Sequence, residues 1–182
     1  MNYKEEEILE EPAQLLKYFT SSYKPESDWK VGSEYEKFVI GYPGFEPLDY
    51  EGEIGIRALF NALKEYFGYT PDMEDNNVIA LFRNGESVSL EPGGQVELSG
   101  KPFKTLHESK LEIDHHMQEL KGITKNWKAA WFSCGMNPFV ANEDIPWMPK
   151  KRYGIMKKYL ITKGHLSHKM MKQTATIQAN ID

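Results

Sequence analysis

The chain has 182 residues, 40% hydrophobic and 27% charged, and its 22 Lys and Arg against 27 Asp and Glu leave a net charge of −5. The length suits one domain with a real core, or part of a larger one. Mean hydropathy is −0.59, and no run approaches the roughly 18 apolar residues of a membrane helix, which excludes a chain that spans a bilayer on helices. A pI near 5.6 argues against a binder of phosphate backbones. Neither a nucleic-acid nor a membrane partner is therefore expected. The opening Met1-Asn2-Tyr3-Lys4-Glu5-Glu6-Glu7 is acidic with no apolar segment behind it, so no secretory leader is expected. Cys134 is the only cysteine, which excludes an internal disulfide and a thiolate-rich zinc site. A reducing cytoplasm is the expected location.

In chain order, Glu5 to Phe19 places Ile8, Leu9, Leu15, Leu16 and Phe19 at helical spacing, with Pro12 as an interruption. Val31 to Ile40 reads as a strand. Gly52 to Phe67 carries Ile56, Leu59, Phe60, Leu63 and Phe67 on one helical face, and Gly68 stands where a helix is closed. Val78 to Phe82, Ser87 to Glu91 and Gln95 to Ser99 read as strands, joined first by the hairpin pair Asn84-Gly85 and then by Pro92-Gly93-Gly94. Phe103 to Lys121 is an expected helix with Leu106, Ile113, Met117 and Leu120 inward. Trp127 to Phe132 is an expected strand, and Arg152 to Leu160 an expected helix. From Thr174 the sequence alternates, with Thr174, Thr176, Gln178, Asn180 and Asp182 on one face and Ala175, Ile177, Ala179 and Ile181 on the other. Strands interleaved with helices and joined by hairpins predict an α+β fold with a mostly antiparallel sheet.

Three stretches could carry chemistry. Glu34 and Glu36 lie two apart on one strand, so their carboxylates share a face with Cα atoms about 6.5–7 Å apart. Neighbouring anions repel, and a hard cation such as Mg²⁺ between them relieves it; an edge strand with solvated glutamates gives the same pattern. Glu91 and Glu97 stand at the mouths of two strands joined by Gly93 and Gly94, whose N–H groups could meet a phosphate or carboxylate. Arg152 opens a helix after Pro149, where a guanidinium suits bidentate contact with a carboxylate or phosphate, though a solvated basic helix start looks alike. The histidines (His107, His115, His116, His165, His168) make no convincing ligand spacing and read as surface or packing residues. Cys134 has no evident base partner.

Taken together, these stretches resemble the glutamate–cysteine ligase family of the plant and proteobacterial type. The resemblance rests on Gly32-Ser33-Glu34-Tyr35-Glu36-Lys37-Phe38, Tyr50-Glu51-Gly52 with Gly55-Ile56-Arg57, and Ser89-Leu90-Glu91-Pro92-Gly93-Gly94-Gln95-Val96-Glu97-Leu98-Ser99-Gly100. It continues through Leu106-His107-Glu108, Trp147-Met148-Pro149-Lys150-Lys151-Arg152-Tyr153-Gly154-Ile155-Met156, and Met170-Met171 ahead of Thr174 to Gln178. The resemblance implies a glutamine synthetase-like catalytic domain, an antiparallel sheet forming a bowl with flanking helices. It implies ATP as co-substrate, Mg²⁺, and the substrates L-glutamate and L-cysteine. The glutamate γ-carboxylate is phosphorylated and the cysteine amine attacks the acyl phosphate, the first step of glutathione biosynthesis.

By the same resemblance Glu34, Glu36, Glu91 and Glu97 are metal ligands, and Arg152 and Tyr153 bind substrate, Arg152 also acting catalytically; Gly93 and Gly94 are expected to meet the cofactor through their N–H groups, and Gln178 to meet substrate from the polar face of the last strand. Family chains run to more than twice this length, so residues 1–182 are expected to form an incomplete, N-terminal part of one catalytic domain, without turnover alone. Ala175 stands where the family usually has cysteine. Two alternatives remain: a non-catalytic remnant that binds Mg²⁺ or glutamate, and a carboxylate–amine ligase with another amine acceptor. Oligomeric state is left open.

Overall fold

The computed structural model describes residues 9–182. Its sheet is built from β1 (Val31–Gly41), β2 (Thr70–Glu74), β3 (Asn77–Arg83), β4 (Glu86–Leu90), β5 (Val96–Ser99), β6 (Ala129–Phe132) and β7 (Ile177–Ile181). Its α-helices are α1 (Pro12–Thr20), α2 (Ile56–Phe67), α3 (Leu106–Thr124), α4 (Lys151–Leu160) and α5 (Ser167–Gln173). The strands run in the order β2-β3-β4-β5-β1-β6, and every pairing is antiparallel. Strand β1 is long enough to pair β7 along Val31 to Tyr35 and β6 along Phe38 to Gly41. The α+β class with an antiparallel sheet is as expected from the sequence.

Alternation sorts the sheet into two faces. Val88, Leu90, Val96 and Leu98 turn to one side and are fully buried. Helix α2 sets Ile56, Leu59, Phe60 and Leu63 into that core, all without exposure, and packs against β3 and α3. Its expected apolar face is the observed one, and Gly68 closes it in the left-handed region at φ +73°. The hairpin between β3 and β4 has Asn84 and Gly85 at φ +49° and +90°, the signs a type I′ turn demands.

Other elements depart from expectation. Pro12 opens α1 rather than interrupting a longer helix, because its missing N–H costs nothing in the first turn. The portion of that expected helix before Leu9 lies outside the described residues. Helix α3 buries Ser109, Glu112, His116, Leu120 and Thr124, while Leu106 is 72% exposed. Its inward side is mixed: Leu120 is fully buried and Ile113 and Met117 pack against the core, as expected, beside polar residues that meet charge on the sheet. The Arg83 guanidinium donates to Glu119 (2.7 Å) and Glu86 (2.8 Å), and the Tyr69 hydroxyl lies 3.2 Å from each of those carboxylates. This clamp ties α3 to β3 and β4. Strand β2 and helix α5 were not foreseen: Pro71 and Asp72 break the β2 pattern, and α5 spans only two turns.

The turn between β4 and β5 is locked to α5. Gln95 Nε2 donates to the carbonyls of Met171 (3.2 Å) and Thr174 (2.6 Å). A Cβ on Gly93 would sit 2.4 Å from the Lys172 carbonyl oxygen, closer than backbone tolerates. Gly93→Ala should therefore destabilise the fold by about 2 kcal/mol or more. Gly122→Ala, on an exposed turn of α3 with nothing within 4 Å of the new methyl, should stabilise it by about 0.5–1 kcal/mol. Urea denaturation of both variants checks the opposite signs.

Candidate active site on the polar face of the sheet

The sheet face away from the core is polar, and strand register assembles it. One row of cross-strand neighbours reads Ala80, Ser89, Glu97, Glu36. The adjacent row reads Phe82, Ser87, Ser99, Glu34, Gln178. Glu36 and Glu97 are thus directly opposed, as like charges seldom are in a sheet. Glu91 joins them from the end of β4, and one carboxylate oxygen from each of Glu36, Glu91 and Glu97 lies within 4.8 Å of the others. Glu34 is on the same face one row along, outside this trio, with its Oε1 accepting from Asn180 Nδ2 (3.0 Å).

Neighbouring donors fix the carboxylates. Ser99 Oγ donates to Glu97 (2.6 Å), Ser89 Oγ to Glu91 (3.1 Å), and the Thr176 N–H to Glu36 (2.7 Å). Burial pushes the Glu91 carboxyl up to about 7, the charge of Glu97 pushes it further the same way, and Lys150 and Arg152 oppose the shift. Burial raises Glu36 too, helped by Glu97 and Glu34 and opposed by its bond from Thr176. Two carboxyls held above their usual range beside a third describe a pocket of excess negative charge.

Cations stand at its rim. The segment leading into α4 is pinned to the sheet: the Met148 N–H donates to the Pro92 carbonyl (3.0 Å), and the Lys151 N–H to Glu74 (2.6 Å). This sets the Arg152 guanidinium 3.9 Å from Glu91 and leaves it over half exposed, free to meet a ligand. Lys150, half-buried beside it, has its pKa lowered by burial and by Arg152. Behind the trio, on the core face, Lys37 is fully buried, and its Nζ donates to the Tyr35 carbonyl (2.9 Å). Burial brings its pKa down to about 7 although Glu97 and Glu36 pull the other way. Lys150 and Lys37 were not singled out in the sequence; their adjacency to the carboxylate-bearing motifs was the available signal.

Three expected site residues are placed differently. The Gly93 N–H donates to Gln95 Oε1 (2.8 Å) and the Gly94 N–H to the Glu91 carbonyl (3.0 Å), so both donors are used inside the turn and not presented to a phosphate. Their small size serves the close approach of α5. Tyr153 is 1% exposed, and its hydroxyl donates to the Leu90 carbonyl (2.5 Å); it anchors α4 rather than facing a substrate. Gln178 lies on the polar face, in the Glu34 row, with its amide donating to Asn180 Oδ1 (2.8 Å). A cavity of about 560 Å³ bordered by Arg83, Lys101 and Glu112 lies on the helix-covered side, away from the trio. The carboxylates occupy an open face.

The donor set fits a hard divalent cation: all oxygen, anionic, clustered and crowded enough to raise proton affinity. Three carboxylates with water completing the shell suit Mg²⁺ better than a softer metal, which would seek nitrogen or sulfur.

Residues 30–182 match the family described as glutamate–cysteine ligase family 2. The chain is 40% identical over 168 residues to glutamate–cysteine ligase B, chloroplastic, of Oryza sativa subsp. japonica, covering 92% of this chain and 33% of that protein. It is 39% identical to the chloroplastic glutamate–cysteine ligase of Medicago truncatula and 37% to that of Arabidopsis thaliana, each over 168 residues, 92% of this chain and 32% of the relative. The chain thus spans about a third of the length of these curated relatives. Their names go against the cytoplasmic expectation: these relatives are chloroplastic. A lone cysteine speaks to disulfides and not to which reducing compartment holds the chain.

Glu91 makes the stability of the chain depend on pH. Its carboxyl keeps its proton to about 7 when folded, against 4.5 for the free group, so between those values the folded state binds more protons. Raising pH through that window should lower stability, by on the order of 1–3 kcal/mol. Buried Lys37 acts above the window and oppositely, since there the unfolded state binds the extra proton. Urea midpoints measured without divalent cations should fall from pH 4.5 to pH 7, and Glu91→Gln should flatten that fall.

Proposed function

Because the chain belongs to glutamate–cysteine ligase family 2, we propose that its polar sheet face is the metal-binding side of an ATP-dependent ligase site. The observation that carries this is the convergence of Glu36, Glu91 and Glu97 within 4.8 Å, beside the cation Arg152. The reaction is the joining of the glutamate γ-carboxylate to the amine of cysteine. A γ-carboxylate oxygen attacks the terminal phosphorus of ATP, and ADP departs. The amine of cysteine then attacks the acyl carbon, the C–O bond to phosphate breaks, and the amine loses a proton as the amide forms. The antiparallel sheet with one polar face supports a glutamine synthetase-like architecture for the complete domain.

In this reading Glu36, Glu91 and Glu97 hold Mg²⁺, with Glu34 on the same face in reach of a second ion or of a metal-bound water. Bound Mg²⁺ supplies positive charge against the phosphate oxygens as charge shifts during phosphoryl transfer. Glu91 must release its proton to serve as a ligand, so metal affinity rises as pH passes about 7. Ser89, Ser99 and the Thr176 N–H hold the carboxylates in place before any ligand arrives. Arg152 orients the glutamate substrate or the transferring phosphoryl group through its planar donors. Gln178 offers an amide to the substrate from the β7 side. Lys37 lies beneath Glu36 and Glu97, and its protonated form, present below about pH 7, tempers their repulsion.

Two measurements test this. Isothermal titration with Mg²⁺ should show weak, millimolar-range binding that Glu97→Gln lowers about tenfold or more, with little change in the urea midpoint. The ligase reading is read from a chimera in which this segment replaces its counterpart in one of the relatives. That chimera should form γ-glutamylcysteine with release of phosphate, and Glu36→Gln or Glu97→Gln in it should cut kcat by about a hundredfold or more. A chimera that folds, binds ATP and Mg²⁺, and turns over a different amine would favour another acceptor. One that folds and binds Mg²⁺ without turnover would favour the non-catalytic reading.

A further inference from the structure

The cavity on the helix-covered side has a floor whose charge the fold leaves poorly matched. Glu86 of β4 and Glu112 of α3 both line it, and they are 7% and 8% exposed. Glu86 is well served, since Arg83 Nε donates to it (2.8 Å) and the Tyr69 hydroxyl lies 3.2 Å away. The two oxygens of Glu112 share a single donor, the Lys101 N–H, at 3.2 Å each, and the side chain makes no ion pair among the described residues. Burial raises its carboxyl, the bond from Lys101 opposes the rise, and Glu86, within hydrogen-bonding reach, adds to it. A buried carboxylate with about four acceptor positions and one shared donor is costly unless a cation reaches it. The fold still makes room for this side chain: a Cβ on Gly100 would collide with Glu112 Oε2.

The walls narrow the class of ligand. Phe67, Phe103 and Leu111 give the cavity apolar sides, and its volume of about 560 Å³ suits a small molecule. Lys101 borders it with its stem beside Gly85, and its ammonium makes no hydrogen bond or ion pair among the described residues. The other charged groups are already engaged. Arg83 gives its donors to Glu86, Glu119 and the Phe67 carbonyl, and Glu108 closes the capping box of α3 with Thr105. One unmatched carboxylate, one lysine without a partner and an apolar wall are left. A metal ion would be poorly served, since only Glu86 and Glu112 converge and Glu86 already holds Arg83.

We propose that this cavity binds an apolar α-amino acid as its zwitterion. The ammonium sits on Glu112 beside Glu86, the carboxylate meets the Lys101 ammonium, and the side chain lies against Phe67, Phe103 and Leu111. A ligand with both charges answers the two unmatched groups at once. A simple amine answers only one, and a simple acid brings further negative charge to a pair of carboxyls. Glutamate, with its second carboxylate, finds no cation left to meet it, which separates this site from one for the ligase substrate. The bound ligand joins α3 to the start of β4 and to the segment after β5, so it stabilises the folded chain by mass action. The site uses neither the carboxylate trio nor Arg152, and it does not rest on the ligase reading.

Isothermal titration of the full chain with L-leucine, in buffer without divalent cations, tests this. Leucine should bind with a Kd of about 0.1–3 mM, and isopentylamine, which lacks the carboxylate, about tenfold more weakly. Isocaproate, which lacks the amine, and L-glutamate should not compete. Glu112→Gln should weaken leucine about tenfold or more while keeping an acceptor for the Lys101 N–H. Lys101→Met should bring leucine down to the affinity of the amine and leave the amine unchanged, which a general loss of structure would not do. Leu111→Arg, at a position 57% exposed, should block the cavity without moving the urea midpoint of the unliganded chain. No binding of leucine up to about 10 mM overturns the proposal. So does binding that Glu112→Gln and Leu111→Arg leave unchanged, or that Glu97→Gln abolishes, since that would put leucine at the trio. Failure of the chain to bind Mg²⁺ would count against the ligase reading and leave this result standing.

Discussion

The antiparallel register of β1 against β5 sets Glu36 directly across from Glu97, and much of the molecule is arranged around that contact between like charges. Because side chains alternate, a one-residue slip of β5 against β1 would carry Glu97 into the core and turn Val96 and Leu98 out. The hydrophobic partners on the other face, Val96 and Leu98, resist that slip, since both are fully buried only in the observed register. The like-charge pair is thus held in place by apolar burial behind it. Serine hydroxyls and the Thr176 N–H supply the bonds that repulsion would otherwise leave unmade.

A second constraint lies behind the sheet. Lys37 sits in the core face, and a charged lysine there is unfavourable unless something offsets the loss of water. Its bond to the Tyr35 carbonyl and its place over the Tyr35 ring do so in part, and the fields of Glu36 and Glu97 reach it through the strand. His116 of α3 answers from above: burial and the nearby charges of Lys37 and Arg83 hold its pKa well below the usual histidine value, so it remains neutral. The polar inward residues of α3 and the charge in β1 belong to one arrangement.

Much of this was legible in the residues and some was not. Local pattern located β1, α2, the Asn84-Gly85 hairpin and the β4–β5 turn, because each obeys a period or a turn chemistry that needs no distant partner. The same alternation put Glu34 beside Glu36, and the family resemblance, not spacing, brought Glu91 and Glu97 near them. What pattern could not supply was the cross-strand register, which separates Glu34 from the trio by one row. Nor could it show that Gly93 is small for α5, a helix 76 positions from Gln95 by its Met171 contact. Tyr153 was assigned to substrate by its place in the family-like motif, and that motif does not show the helical turn that sends its ring into the core and its hydroxyl to the Leu90 carbonyl. Helix α3 was legible in part: Ile113, Met117 and Leu120 do face the core, but reasoning from apolar spacing placed exposed Leu106 inward and missed buried Glu112 and His116.

The trio also bears on how site and fold share stability. Carboxyls pushed above their usual range are anions that the folded state holds at a cost, and Glu91 carries the larger part of it. A cation bound there would remove that cost by mass action, so ligand and fold would stabilise one another. Protons compete for the same oxygens, which couples occupancy to pH near the value at which Glu91 changes state. Arg152 cannot fill the role from within, because at 3.9 Å and over half exposed it offsets only a screened part of the negative charge. The geometry therefore favours a mobile cation over an internal ion pair: it leaves the anions clustered, oriented and underneutralised, the state in which a divalent ion gains most by arriving.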